Sequence, residues 1–236
     1  MLPTIATSSA LWLPFTICVY WMASELYARA GKTPLLNPTL LTIAALGLAL
    51  LGLGVPYPTY FESVSVLHYL LGTAVVGLAI PLHRHLQNLL RQMPLITFAL
   101  VAGSFTSVVS GLLIASVLGA SPEVILSIAP KSATAAVSMD IARAIGGIPP
   151  VTACLTIFTG IIGAVAGPYI LTWAGVLCPA ARGVALGTAS HGIATARAFS
   201  ECELAGCCAS LAMGLNAIVT AAIVPLIISV MRTFGV

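Results

Sequence analysis

The chain has 236 residues, of which 59% are hydrophobic and 6% charged, and its nine basic and six acidic side chains give a formal net charge of +3. A soluble domain carries roughly 25% charged residues, and the mean hydropathy here is +1.10. So few charges cannot cover a water-soluble surface of this size. A soluble fold, a disordered chain and a disulfide-stapled secreted domain are therefore excluded, and an integral membrane protein remains.

Apolar spans at about 5–23, 35–54, 64–81, 94–119, 149–175 and 204–231 predict about six full transmembrane helices, each near the twenty residues needed to cross a bilayer. The first lacks a basic leader and a cleavage site after Met22, so it reads as a transmembrane helix and not as a signal peptide. Arg29 and Lys32 follow it, Glu62 follows the second span, and His83, Arg84, His85 and Arg91 follow the third. The positive-inside rule then makes the 24–34 and 82–92 loops cytoplasmic and puts the N-terminus outside, with the loop at Ser121, Pro122 and Glu123 also outside. His68 falls at the membrane interface near the start of the third span. No basic run supports nucleic-acid binding. The six cysteines read as small apolar residues, with no disulfide and no metal. No Walker loop, dinucleotide fingerprint or Ser–His–acid arrangement is present, so neither an enzyme nor a cofactor is expected.

Two stretches differ from simple spans, 121–147 and 179–203. Between Gly183 and Ala198, eleven of sixteen residues are Gly, Ala, Ser or Thr. Such a composition suits a tightly packed helix, or a broken one lining a cavity. Pro130 disfavours a helical Ala129, and Gly187 and Gly192 permit a break in the second stretch. Thr134-Ala135 and Ala142-Arg143-Ala144 recur 54 positions later as Thr188-Ala189 and Ala196-Arg197-Ala198, each set following a long helix that starts after Pro94 or Pro150. Interrupted segments in two halves point to a secondary-transporter site; an unbroken helix with a chance match is the competing reading. If both segments re-enter, the repeats are inverted. The predicted fold is an all-α integral membrane protein: about six full helices, two discontinuous or re-entrant segments and an internal repeat. It is organised as one domain over 1–236, with scaffold helices in 1–93, repeat units at 94–147 and 149–200, and a closing helix at 204–236.

Charges inside a membrane are costly, which marks their positions as informative. Lys131 follows Pro130, where a half-helix would begin, so its ammonium and the free N–H groups could bind an anion; otherwise it snorkels to an interface. Ser132, Thr134 and Ser138 add hydroxyls beside it. Asp140 and Arg143 either neutralise each other at i, i+3 or form an ion relay. Thr188, His191 and Thr195 fall on one helical face, Ser190 adjoins them, and Arg197 has the fork for a carboxylate. His191 either titrates during transport or is a satisfied buried imidazole. Glu201 and Glu203 read as a solvated loop or a coupling site. The substrate-binding set is thus Lys131, Ser132, Thr134, Thr188, Ser190, His191, Thr195 and Arg197, with His191, Asp140 and Glu203 as candidates for proton or ion coupling.

The runs Pro34-Leu35-Leu36-Asn37-Pro38, Ala120-Ser121-Pro122-Glu123, Pro130-Lys131-Ser132, Ile145-Gly146-Gly147-Ile148-Pro149, and Ala181-Arg182-Gly183 through Gly187-Thr188-Ala189-Ser190-His191 to Thr195-Ala196-Arg197 resemble the LrgB/CidB family of bacterial membrane proteins, in its YohK-like branch. The resemblance covers nearly the whole chain, although Asp140 and Arg143 depart from that branch. It implies a multi-pass protein of the bacterial inner membrane with one of two functions. By likeness to the LrgB-like half of a plastid glycolate/glycerate translocator, it would carry small monocarboxylates such as glycolate, glycerate or pyruvate. Alternatively, it would be a holin- or antiholin-like modulator of murein hydrolase export and lysis. Both imply a small LrgA/CidA-like membrane partner. The residues favour transport by alternating access, possible coupling to protons, a small organic anion as substrate, and a homo-oligomer, a dimer, through the first helices amid lipid.

Overall fold

The computed structural model describes residues 9–31, 33, 36–77 and 79–233. Residues 5–8 of the first predicted span, Lys32, and Pro34 and Leu35 of the first family motif lie outside the described residues, as does the side chain of His68. Every regular element among the described residues is a helix. The chain divides into two compact units, Met1–Ala79 and Ile80–Val236.

The first unit holds α1 (Ser9–Arg29), α2 (Pro38–Leu53), α3 (Tyr57–Ser63) and α4 (Ser65–Gly77). Asn37 starts α2 by accepting the Thr39 N–H at 2.9 Å on its side-chain oxygen, and Gly54 at φ 64° ends it, the usual division of labour between a polar N-cap and a C-terminal glycine. Trp12, Leu46, Val55, Tyr60 and Val64 form its apolar core. The Trp12 and Tyr60 rings meet edge to face at 5.5 Å, and the Tyr60 hydroxyl, too polar to bury alone, pairs with Thr16 Oγ1 at 3.1 Å.

From α5 (Ala79–Arg84) onward come α6 (Leu86–Val117), α7 (Pro122–Ile128), α8 (Ala135–Ile145), α9 (Pro149–Trp173), α10 (Pro179–Glu201) and α11 (Glu203–Thr233). Among the described residues, three helices are long and apolar enough to cross a membrane, at Leu89–Val117, Pro149–Trp173 and Glu203–Met231. Pro38–Leu53 is a shorter apolar helix. The expected 82–92 loop is helical on both sides of His85, with His83 and Arg84 in α5 and Arg91 in α6. Likewise α1 continues to Arg29. The fourth span does not start after Pro94: α6 runs through it, as α9 runs through Pro168 and α11 through Pro225, proline being tolerated inside membrane helices.

The two unusual stretches both fold back on themselves. In α10, Ser190 (φ −143°, ψ 22°) and His191 (φ 42°, ψ −136°) interrupt the helix. A straight helix would hold Arg182 and Glu201 roughly 28 Å apart, yet they are hydrogen-bonded at 2.8 Å. The first leg lies along α11, where Gly183 and Gly187 press on the backbone of Ala205 and Ala209 and leave no space for a Cβ at either position. Gly187, which the sequence offered with Gly192 as a place for a break, stays helical; with Gly183 it lets two helices touch. The same leg runs back along α9, with Leu186 against Gly167 and Ser190 against Gly163.

α7 and α8 make the other hairpin. Ser138 Oγ donates to the Pro130 carbonyl at 2.7 Å, and Ser127 Oγ accepts the Ile148 N–H at 2.7 Å. The chain therefore turns at 130–134 and returns beside α7. The helix ends at Ile128, ahead of the residue that Pro130 disfavours in a helix, although Ala129 as its C-cap still has helical dihedrals (φ −52°, ψ −51°). The second half-helix starts at Thr134–Ala135 and not at Lys131–Ser132. The 54-residue offset also fails as a register, since Thr134 follows its turn whereas Thr188 precedes its break.

The hairpins enter from opposite ends of this unit. An ion pair at 3.6 Å joins Arg84, just before α6, to Glu203 at the start of α11. The open end of α10 therefore lies at the end where α6 begins. The α7–α8 hairpin follows the far end of α6.

Candidate functional site

Both hairpin tips arrive inside the length of the long helices, about a third of the way along α9 and two-thirds of the way along α6. His191 Nε2–H donates to the Thr156 carbonyl of α9 at 2.9 Å, and Ser190 Oγ donates to the Thr159 carbonyl at 3.2 Å. Gly160 makes this possible, because a Cβ there would stand 2.7 Å from His191 Cε1. From the other tip, Lys131 Nζ donates to the carbonyl and hydroxyl oxygens of Ser107 in α6, at 2.8 and 3.2 Å. Gly111 leaves room for that ammonium in the same way.

Asn216, in the middle of α11, joins the tips. Its side-chain nitrogen donates to the Ser132 carbonyl at 3.0 Å and to the Thr188 carbonyl at 3.1 Å. Asn216 is 1% exposed. The sequence reading missed it, although an amide in the apolar run Met213–Val219 is a signal of the same kind as Lys131. Nearby, Ser104 and Thr220 pair at 3.1 Å between α6 and α11.

The predicted site residues separate into two groups. Lys131, Ser132, Thr188, Ser190 and His191 are gathered at the junction of the tips, with Thr134 at the start of α8 beside it. Thr188, His191 and Thr195 do not share one helical face, because the break at Ser190–His191 puts Thr188 on one leg and Thr195 on the other. The Thr188 hydroxyl donates to the Val184 carbonyl at 2.7 Å and the Thr195 hydroxyl to the His191 carbonyl at 2.8 Å, so both serve their own helix turns. Arg197 lies nearly two turns beyond the tip on the second leg, in the field of Glu201. Asp140 and Arg143 pair at 2.8 Å with both side chains exposed, the contact in which the two charges offset each other. Glu203 pairs with Arg84 at the end of the unit, away from the tips.

Arg182 and Glu201 are the second omission. Glu201 is not in a loop; it is the last residue of α10 and takes a two-pronged hydrogen bond from Arg182 at 2.8 and 2.9 Å. Arg182 also donates to Thr172 Oγ1, the Val176 carbonyl and the Pro168 carbonyl, each at 3.1 Å. One guanidinium thus ties the two legs of α10 to each other and to the end of α9, as its fork allows. The Arg182 hydrogen bond holds the Glu201 carboxyl below the usual carboxylate range, against the opposing effect of burial.

Two grooves, of about 440 and 390 Å³, run along either side of the first leg of α10. Both are lined by Ser107, Ala185 and Ala189, and one extends to Gln92 and Cys178. Of these three, Ser107 is the one that holds Lys131.

Residues 16–230 match the LrgB-like family. The chain belongs to that family. The LrgB-like chain is 35% identical to the protein YwbG of Bacillus subtilis, over 92% of this chain and 96% of that one. It is 32% identical to an uncharacterized protein of Haemophilus influenzae over 93% and 94% of the two chains. To the holin-like protein CidB of Staphylococcus epidermidis it is 29% identical, over 93% and 96%. No solved structure matches.

Proposed function

We propose that this protein is a membrane carrier of small organic anions, of the glycolate, glycerate or pyruvate kind, working by alternating access at the hairpin tips. The observation that carries this reading is Lys131. Its ammonium rests on Ser107, one of three residues that line both grooves. The ion pairs among the described residues join Arg29 to Glu25, Arg84 to Glu203, Arg143 to Asp140 and Arg182 to Glu201, and none involves Lys131. A cation held inside the length of apolar helices without a carboxylate is costly, and a bound anion offsets that cost. A monocarboxylate is small enough for either groove and brings the single charge required. Ser190 and His191 of the other tip would donate to the substrate by giving up their bonds to the Thr159 and Thr156 carbonyls.

Hairpins entering from opposite ends suit a pair of inverted units, α6–α8 and α9–α10, which rock about a central site. By the positive-inside rule the Arg84–Arg91 end is cytoplasmic, so the groove reaching Gln92 and Cys178 opens inward. The inner membrane of a bacterium, a small LrgA/CidA-like partner and a homodimer complete the proposal.

The second reading, a holin-like modulator of lysis, has the staphylococcal relatives' name behind it, and that name supports it better than it supports a carrier. Proteoliposomes separate the two. A carrier takes up labelled glycolate or pyruvate saturably and retains a large dye. Dye leakage without saturable uptake overturns the carrier and supports the holin-like reading. Uptake only after a small LrgA/CidA-like protein is added makes this chain one half of a carrier.

A further inference from the structure

Among the described residues, three buried side-chain oxygens have no hydrogen-bond partner: Ser132 Oγ, Thr156 Oγ1 and Asn216 Oδ1. All three residues belong to the junction of the tips, and they are 0%, 0% and 1% exposed. The Asn216 amide has only one satisfactory orientation, because both groups it meets, the Ser132 and Thr188 carbonyls, accept. Its oxygen therefore points away from them, without a partner. Ser132 and Asn216 are in contact through that hydrogen bond, so two of the orphaned oxygens flank one contact. Thr156 brings the third from α9, where its carbonyl already holds His191.

By contrast, the Ser104, Ser138 and Thr195 hydroxyls nearby are satisfied, by Thr220, Pro130 and His191. Buried polar atoms are nearly always paired, and each exception calls for an explanation such as a bound ion or an ordered water. The donor set specifies the kind of ion. There are oxygens only, all of them neutral, and among the described residues no group of three His, Cys, Asp or Glu side chains could hold a metal. Divalent cations take charged carboxylates, and transition metals take nitrogen or sulfur. Neutral oxygens beside an unwound turn suit a monovalent alkali cation.

We propose that Ser132 Oγ, Thr156 Oγ1 and Asn216 Oδ1 form a sodium-ion site between the two hairpin tips. The Lys131 ammonium, next in the chain to Ser132, repels a cation there. An anion on Lys131 removes that repulsion, so each ion raises the affinity for the other. This coupling rests on the carrier reading; the sodium site does not.

Two substitutions test the site without removing any existing bond, Ser132→Ala and Thr156→Val. The purified full-length protein is melted in detergent while sodium chloride replaces choline chloride at constant ionic strength. Sodium is expected to raise the melting temperature saturably in the wild type. Each variant should need at least tenfold more sodium for half the effect, while melting in choline at or above the wild-type temperature. Equal melting of the wild type in sodium and choline overturns the site, as does an unaltered sodium response in both variants. Adding glycolate as its choline salt should then lower the half-saturating sodium concentration in the wild type and not in Lys131→Ala. A sodium response that glycolate leaves unchanged keeps the site and overturns the coupling.

Discussion

The two hairpins reach the same junction by different physical means. The α7–α8 hairpin is held by ordinary apolar packing: Ala129, Ile141 and Ile145 join Val108 and Leu112 of α6 and Val224 and Ile228 of α11 in one cluster. Its turn carries the charge. The α10 hairpin buries mostly small residues, Gly183, Gly187, Ala194 and Ala198 with Thr188, Ser190 and Thr195, partly against Ala205 and Ala209 of α11, and little side-chain area is available to hold it. Close backbone approach at Gly183 and Gly187, and the Arg182–Glu201 pair at its open end, do that instead. Its turn carries strain. A positive φ is uncommon at any residue other than glycine, and His191 adopts φ 42°. On the proposed carrier reading, one tip would hold the ligand and the other would change shape against it.

The largest effect expected is on uptake. Lys131→Ala should lower the initial rate of glycolate uptake about 100-fold, since a charge-assisted contact is worth about 1.5–3 kcal/mol, while membrane insertion is retained. Normal uptake by this variant would remove Lys131 from the site and with it the contrast between the tips. Next come substitutions that attack how each hairpin is held. Gly187→Leu drives a side chain into the Ala209 backbone and should cost about 3 kcal/mol or prevent folding, whereas Gly214→Ala, which meets open space, should not destabilise the protein. Equal melting temperatures for these two variants would contradict close backbone contact as the device that holds α10.

Arg182→Ala should cost about 3 kcal/mol, because the Arg182 and Glu201 side chains are only 12% and 20% exposed and a lone buried carboxylate remains. Lysine at this position, a single point charge, should restore less than half of the loss. The pH dependence has a definite sign. Glu201 is held below its ordinary range, so its contribution is fully present above the unfolded carboxylate value and is lost as pH falls through the folded one. The gap in melting temperature between wild type and Arg182→Ala should stay constant above about pH 5 and narrow in acid.

Much of this contrast was legible in the sequence. Composition marks a membrane protein, and small residues at 183–198 mark α10 as unlike a lipid-facing span. Lys131 and His191 stand out as polar residues in apolar surroundings. The location of the break was not legible: glycine is the usual residue at positive φ, and here the flanking Gly187 and Gly192 remain helical while His191 takes the turn. Nor could the sequence show that Arg182 meets Glu201, since that contact exists only once the helix has reversed. Asn216 passes for an ordinary polar residue in a long helix until both tips are seen to end on it.

The smallest expected effect distinguishes strain from chemistry at the second tip. His191→Gly relieves a backbone conformation costing about 1–3 kcal/mol and loses one buried hydrogen bond worth about 1 kcal/mol. It also adds the chain entropy that glycine must lose on folding. These contributions nearly cancel, so the melting temperature should change by only a few degrees. Uptake then decides what the histidine is for. If His191 only shapes the turn, glycine serves equally well and the rate is preserved. If its imidazole contacts the substrate or positions the tip through Thr156, the rate falls while stability does not. A loss of uptake at unchanged stability would show that the strain at the tip is retained for the side chain it presents, which is the sense in which the second hairpin differs from the first.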